Sequence, residues 1–309
     1  MTSRLMWFKG ALMEPQDAKV MALSPTAQFG LNVFEGIRGY WNPEHEQLYV
    51  FRLQEHLERL EQSCRLISLE MPYPREDIVG FIRDVVTANQ YREDIALRVT
   101  AFVDEEGTWS SVRKPDLFIA PIARPRMNVS GLRAQAATVS SWRRIDDLSF
   151  PPRIKSGANY INGRYAHLDA QRKGFDVPIF LNVEGKVSEG AGACIAIVRK
   201  GTLITPDFSS SVLEGITRDT ILALAAMLGI PCEERRIDRT ELLVADEIFL
   251  CGSAAEITPI GSVDRIPVGD GTVGPITARL ASEYIRATCN LVPTFSHWTS
   301  PIYPHAEHP

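Results

Sequence analysis

Short apolar stretches of period two alternate with apolar runs of period 3.6 along most of this chain. That interleaving limits the fold most, because strands and helices must share layers around common cores. Residues 5–8 and Ala11–Met13 flank Lys9-Gly10 as a hairpin, and residues 48–51 form a further strand. Leu53, Leu57, Leu60, Cys64 and Ile67 then recur at helical spacing. Ile78, Ile82, Val85 and Val86 do the same behind Glu76-Asp77, an acidic start that suits the positive end of a helix dipole. Strands return at Ile95–Phe102 and at residues 117–121.

Ala123-Arg-Pro-Arg-Met-Asn128 is polar, contains proline and separates two well-patterned halves. Beyond it, strands at residues 134–139, 177–182, 195–198 and 247–250 alternate with helices. The expected architecture is therefore α/β (α+β) with two domains: a smaller one over residues 1–123, a linker at 124–130, and a larger one over 131–309. The clearest helix spans residues 217–228, with Gly229 as its C-terminal cap and Pro231 beyond. It follows Leu213-Glu-Gly-Ile216, where a flexible glycine before free backbone N–H groups could seat an anion or simply join a loop to a helix.

A formal net charge of −5 with mixed signs gives no basic surface for nucleic acid or an anionic membrane. No stretch approaches the ~20 apolar residues of a membrane span, and the N-terminus lacks the apolar run of a signal peptide. Cys64, Cys194, Cys232, Cys251 and Cys289 are scattered and form no C-x-x-C pair, which argues against a disulfide framework or structural zinc. The expectation is a cytoplasmic protein that binds no metal.

Lysine is scarce, which narrows the search for an amine nucleophile to Lys9, Lys19, Lys114, Lys155, Lys173, Lys186 and Lys200. Lys155 stands in Ile154-Lys-Ser-Gly-Ala-Asn-Tyr160, where small residues leave room for a planar ligand and a helical pattern starts at Asn159-Tyr160. Spacing alone would equally describe a solvated loop lysine.

More specific information lies in the order of six blocks: Phe34-Glu-Gly-Ile-Arg38, Lys155-Ser-Gly-Ala-Asn-Tyr160, Ser188-Glu-Gly-Ala-Gly192, Leu213-Glu-Gly-Ile-Thr-Arg-Asp219, Val244-Ala-Asp-Glu247 and Gly252-Ser-Ala-Ala-Glu-Ile-Thr-Pro259. In order and spacing they resemble the signature blocks of branched-chain amino-acid aminotransferases, class IV enzymes of the type IV pyridoxal-phosphate (PLP) fold. The resemblance covers nearly all of the chain from Trp7 to about Pro275. It implies a larger domain with a mixed-sheet or barrel core, PLP as cofactor, and a homodimer or higher homo-oligomer. It also implies ping-pong transfer of an amino group from an apolar L-amino acid to 2-oxoglutarate.

Carried over residue by residue, the resemblance makes Lys155 the Schiff-base lysine and proton carrier, a role that requires its amine to lose a proton. Glu189 would pair with the pyridine nitrogen, and Tyr160 would hydrogen-bond the ring hydroxyl oxygen. Arg59, Ile216, Thr217 and Ser253 would bind the phosphate, Arg59 with a permanently charged fork. Phe29, Phe34 and Arg98 would line the substrate pocket, and Ser253, Ala254 and Ala255 would offer donors to the substrate carboxylate.

Each residue also has a plainer reading: a turn residue for Glu189, a core or interface ring for Tyr160, core packing for both phenylalanines, and an exposed Glu55 to Arg59 pair on a helix. The chain departs from the family pattern at Ala96, Glu105-Glu-Gly-Thr-Trp-Ser110 and Ala193-Cys194, which points to a reshaped pocket. Enzymes sharing the cofactor remain open as alternatives: a D-amino-acid or specialised biosynthetic aminotransferase, or an aminodeoxychorismate-lyase-like enzyme. A binding module that has lost the chemistry is a further one.

Overall fold

A computed structural model describes residues 4–304 of the chain, so Met1–Ser3 of the N-terminal stretch lie outside the described residues. The chain forms two compact units. The first comprises Met1–Arg126, Ile154–Ala158 and Arg286–Pro309, and the second Met127–Arg153 and Asn159–Ile285. This differs from the linear split at residues 123 and 131, because the Lys155 segment and the C-terminal stretch both join the first unit. Ile154 and Ile302 enter the first unit's core, and Ser156 bridges to Val33. Such joining depends on contacts far apart in sequence, which local patterns do not reveal.

The first unit begins with the expected hairpin, β1 (Met6–Phe8) and β2 (Ala11–Met13), whose turn residues Lys9 and Gly10 have φ of 50° and 95°. Positive φ at both central positions matches the right-handed twist of the flanking strands. Next come α1 (Pro25–Phe29), β3 (Asn32–Asn42), β4 (Gln47–Phe51), α2 (Leu53–Leu66), α3 (Arg75–Ala88), β5 (Ile95–Phe102) and β6 (Asp116–Ala123). One antiparallel sheet results, in the order of a final strand Thr299–Pro301, then β4, β3, β5, β6, β1 and β2. On one face Val33, Ile37, Leu97, Val99 and Ile119 pack in a single core with Leu57, Leu60, Ile78 and Ile82 of the helices. Each such side chain contributes about 1.5–3 kcal/mol by leaving water.

The second unit contains β7 (Gln135–Arg143), α4 (Tyr160–Arg172), β8 (Val177–Leu181), β9 (Val187–Gly190), β10 (Cys194–Arg199), β11 (Thr202–Thr205), α5 (Ile216–Met227), β12 (Cys232–Glu234), β13 (Glu247–Gly252) and β14 (Glu256–Val263). The sheet is mixed: β7 runs parallel to β14 and β8, β11 runs parallel to β12, and the other pairs are antiparallel. Gly229 follows α5 with φ of 70°, as a C-terminal stop requires. Glu247 has a structural task at the start of α6 (Pro275–Thr288). Its buried carboxylate accepts from Ile276 N (3.0 Å), Thr277 N (2.7 Å) and Thr277 Oγ1 (2.6 Å). A Cβ on Gly274 would lie 2.1 Å from Glu247 Cδ, so this approach needs glycine.

Candidate active site

In the first unit, Lys155 lies along the start of β3. Its carbonyl accepts from Phe34 N at 2.9 Å, and its own N–H donates to Ser63 Oγ at 3.2 Å. The ammonium sits 5.3 Å from the centre of the Phe34 ring. Gly157 is pressed against the Asn32 side chain, where a Cβ would come within 2.7 Å of Oδ1, so this position favours glycine. Lys155 is half-buried, which sets it apart from a solvated loop lysine.

Alternation along β3 separates two sets of groups. Phe34, Gly36 and Arg38 face away from the helices, and Arg98 stands directly opposite Gly36 on β5. A Cβ on Gly36 would meet nothing within 4 Å, and the Arg98 guanidinium lies 4.1 Å from the Phe34 ring centre. Ala96 follows on the same face, opposite Arg38. Phe29 ends α1 and is 48% exposed, which does not suit core packing.

Glu35, on the helix-facing side, is fully buried and receives Arg59 through Nε (2.8 Å) and Nη2 (2.9 Å). His56 Nδ1 lies 2.7 Å from its second oxygen. Glu55 pairs with Arg52 instead, so Arg59 is an inward-facing residue and not half of an exposed helix pair. Burial pushes the Glu35 carboxyl up, but the charges and hydrogen bonds of Arg59 and His56 outweigh it and hold the group below the usual carboxylate range. Burial lowers the His56 imidazole despite the opposing pull of Glu35, which favours a neutral ring donating from Nδ1. His56, Arg59 and Ser63 occupy one flank of α2 at helical spacing.

In the second unit, Glu189 and Tyr160 lie around the turn after β9. Glu189 is buried; Arg144 Nε stands 2.7 Å from its Oε1, and Leu213 N donates to Oε2 at 3.0 Å. Gly190 N donates across the turn to Ala193 O at 2.8 Å. The helix α4 packs directly on this turn, since a Cβ on Gly163 would be 2.4 Å from Ala191 O. Tyr160, at its first position, therefore lies beside Gly192, where a Cβ would be 3.7 Å from the ring.

Gly252, the residue before Ser253, approaches the other side of the turn, its would-be Cβ 3.6 Å from Ala193. Residues 253–255 form the loop from β13 to β14. Cys194 fills the space beneath Gly215, where a Cβ would be 2.4 Å from Sγ, and its thiol donates to Leu213 O at 3.7 Å. Gly215 caps α5 with no side chain of its own, and the first helical bond runs from Asp219 N to Gly215 O. The N–H groups of Ile216, Thr217 and Arg218 precede that bond, the usual makings of an anion seat.

The first unit thus carries Lys155, Arg59, Phe29, Phe34 and Arg98, and the second Tyr160, Glu189, Ile216, Thr217, Ser253, Ala254 and Ala255. The groups missing from the sequence reading are Glu35, His56, Ser63 and Arg144. Glu35 stands inside the Phe34-Glu-Gly-Ile-Arg38 block, but β3 is buried on both faces, so no period-two alternation singles it out. Nothing in the sequence singles out Arg144. Among the described residues, no group of three or more His, Cys, Asp or Glu side chains is placed to hold a metal ion. No helix of the described residues is long and apolar enough to cross a membrane.

Residues 32–263 match the family model of amino-transferase class IV. The chain is 37% identical over 302 residues to a probable branched-chain-amino-acid aminotransferase of Aquifex aeolicus, covering 96% of each chain. It is 40% identical, with a TM-score of 0.92, to a branched-chain amino acid aminotransferase of Thermobaculum terrenum solved in its PLP form, over 98% of this chain and 99% of that one. The branched-chain aminotransferase of Thermoproteus uzoniensis, solved with norvaline, is 40% identical, with a TM-score of 0.91, over 97% of this chain and all of its own.

Proposed function

The chain belongs to the class IV amino-transferases, and from that premise we propose that it moves the amino group of an apolar, branched-chain-type L-amino acid to 2-oxoglutarate in two successive half-reactions. Membership makes it a PLP-dependent aminotransferase. The observation that carries the choice of donor is the likeness to branched-chain aminotransferases along nearly the whole of both chains. We take the working form to be a homodimer or larger homo-oligomer in the cytoplasm.

The residues fit the cofactor: a buried carboxylate is braced by an arginine, a phenol flanks the same turn, and a glycine-capped helix start leaves backbone donors unengaged by a side-chain cap. When bound, PLP supplies an aldehyde carbon and an electron-withdrawing ring. Lys155 would hold the cofactor through its amine, and the same amine would take up and return the proton of the substrate Cα. Glu189 would accept a hydrogen bond from the protonated pyridine nitrogen, with Arg144 and Leu213 N beside its carboxylate. Tyr160 would donate to the ring hydroxyl oxygen. Arg59, Ile216, Thr217 and Ser253 would hold the phosphate. Phe29 and Phe34 would meet the apolar side chain, Arg98 the distal carboxylate of glutamate, and the loop of Ser253, Ala254 and Ala255 the α-carboxylate.

The test is the first half-reaction observed alone. Mixing holoenzyme with L-leucine, L-valine or L-isoleucine should shift the cofactor's visible absorption, and 2-oxoglutarate should restore it. Response to D-alanine or a simple amine, with none to any L-amino acid, would refute the donor while leaving the family intact.

A further inference from the structure

We propose that Glu35 and His56 are positioning residues: they lock the Arg59 guanidinium in the one orientation in which it can receive the cofactor phosphate. The inference rests on the reading of Arg59 as a phosphate anchor. Glu35 has no solvent exposure and sits on β3 with core residues Val33 and Ile37 on the same face. Burying a carboxylate there is unfavourable, and an apolar side chain of similar size would serve stability as well or better. A purely structural account leaves that cost unexplained.

Geometry supplies the reason. An arginine on a helix flank has many side-chain rotamers, and a single acceptor would leave its planar head free to turn. Glu35 instead takes the Nε and Nη2 edge with both oxygens, 2.8 and 2.9 Å away, which fixes the plane of the guanidinium and turns its remaining edge away from Glu35. His56 in turn fixes the carboxylate: its Nδ1 at 2.7 Å shares Oε2 with Arg59 Nη2, so the carboxylate cannot rotate without losing a donor. One turn further along the same flank, Ser63 Oγ accepts from the Lys155 N–H. A single helix face therefore sets the head of Arg59 and the backbone of the lysine.

The opposite outcome is physically possible, because Glu35 could compete with the phosphate for Arg59. The two differ in sign. If Glu35 positions, Glu35→Gln weakens PLP; if it competes, the same variant tightens PLP. The measurement is the dissociation constant of PLP from apoprotein, with inorganic phosphate as a competing probe and thermal melting to show that each apoprotein is folded. Arg59→Ala should weaken PLP at least tenfold and reduce phosphate competition. Unchanged affinity there would overturn the phosphate reading and this inference with it.

Given that loss, Glu35→Gln should weaken PLP about tenfold in the wild-type background and have no further effect in the Arg59→Ala background. A general structural defect would persist in both. Unchanged or tighter binding by folded Glu35→Gln overturns the inference and leaves the phosphate reading standing. Should Glu35→Gln fail to fold, His56 decides: His56→Ala should weaken PLP and His56→Asn, which can still donate to Glu35, should recover it. Wild-type affinity in His56→Ala would overturn the proposal.

Discussion

Replacing Arg144 by methionine tests the second unit's part of the site through stability rather than turnover. Arg144 and Glu189 form a pair whose side chains are 10% and 6% exposed, with Nε and Oε1 2.7 Å apart. Removing one member of a buried pair typically costs about 3–5 kcal/mol, chiefly because the other charge stays buried without compensation. Here Leu213 N still donates to Glu189 at 3.0 Å, which places the expected loss near the lower end, about 3 kcal/mol.

For a cooperative unit of this size that corresponds to a fall of roughly 6–12 °C in the melting temperature of the apoprotein. Two further results should accompany it. Arg144→Met combined with Glu189→Gln should recover at least half of the loss, since the stranded charge is gone. Added PLP should raise the melting temperature of Arg144→Met more than that of the wild type, because the pyridine nitrogen would then be a major partner for Glu189. A melting temperature of Arg144→Met within about 2 °C of the wild type, or a double variant no more stable than the single one, would refute the reasoning.

Borohydride treatment of the yellow holoenzyme and peptide mapping of the product should place the cofactor adduct on Lys155, and an adduct on another lysine would remove the central assignment. Arg98→Ala should slow the glutamate half-reaction far more than the leucine one in single-turnover assays, since only glutamate would leave a carboxylate unpaired. Acid should destabilise the first unit. The lowered values of His56 and Glu35 mean that the unfolded chain binds more protons, so stability is full above about pH 6.5. It should fall through His56 as pH drops below that value, and further through Glu35 below about pH 4.5. The urea midpoint of His56→Asn should change less between pH 7.5 and 5.5 than that of the wild type; an equal change would discount His56.

Helices α2 and α3 were legible because each buries a single stripe, and Leu57, Leu60, Ile78 and Ile82 mark it at the right period. The strand β3 was not, although it carries the Phe34 block: nearly every residue from Val33 to Asn42 is at least partly buried, so no polar face alternates with an apolar one. Lys155 and Glu189 stood out through their motifs. Their supports did not, because Arg144 meets Glu189, and Ser63 meets Lys155, only after distant segments have folded. The same reason explains why the division of the chain differs from the linear one: no local signal announces that residues 154–158 or 286–309 belong with the first unit.

The strand Thr299–Pro301 has a consequence for how the protein is made. It covers the edge of β4, and Gln47 clamps the two residues after the strand, accepting from Ile302 N (3.1 Å) and Tyr303 N (2.9 Å) and donating to Tyr303 O (2.9 Å). On the ribosome β4 emerges about 250 residues before its neighbour, a gap of roughly 12–50 s at ~5–20 residues per second. Throughout that interval its hydrogen-bonding edge is a template for another nascent chain. A stop codon shortly before Thr299 should therefore yield aggregates and chaperone-bound chains rather than a slightly shortened soluble enzyme.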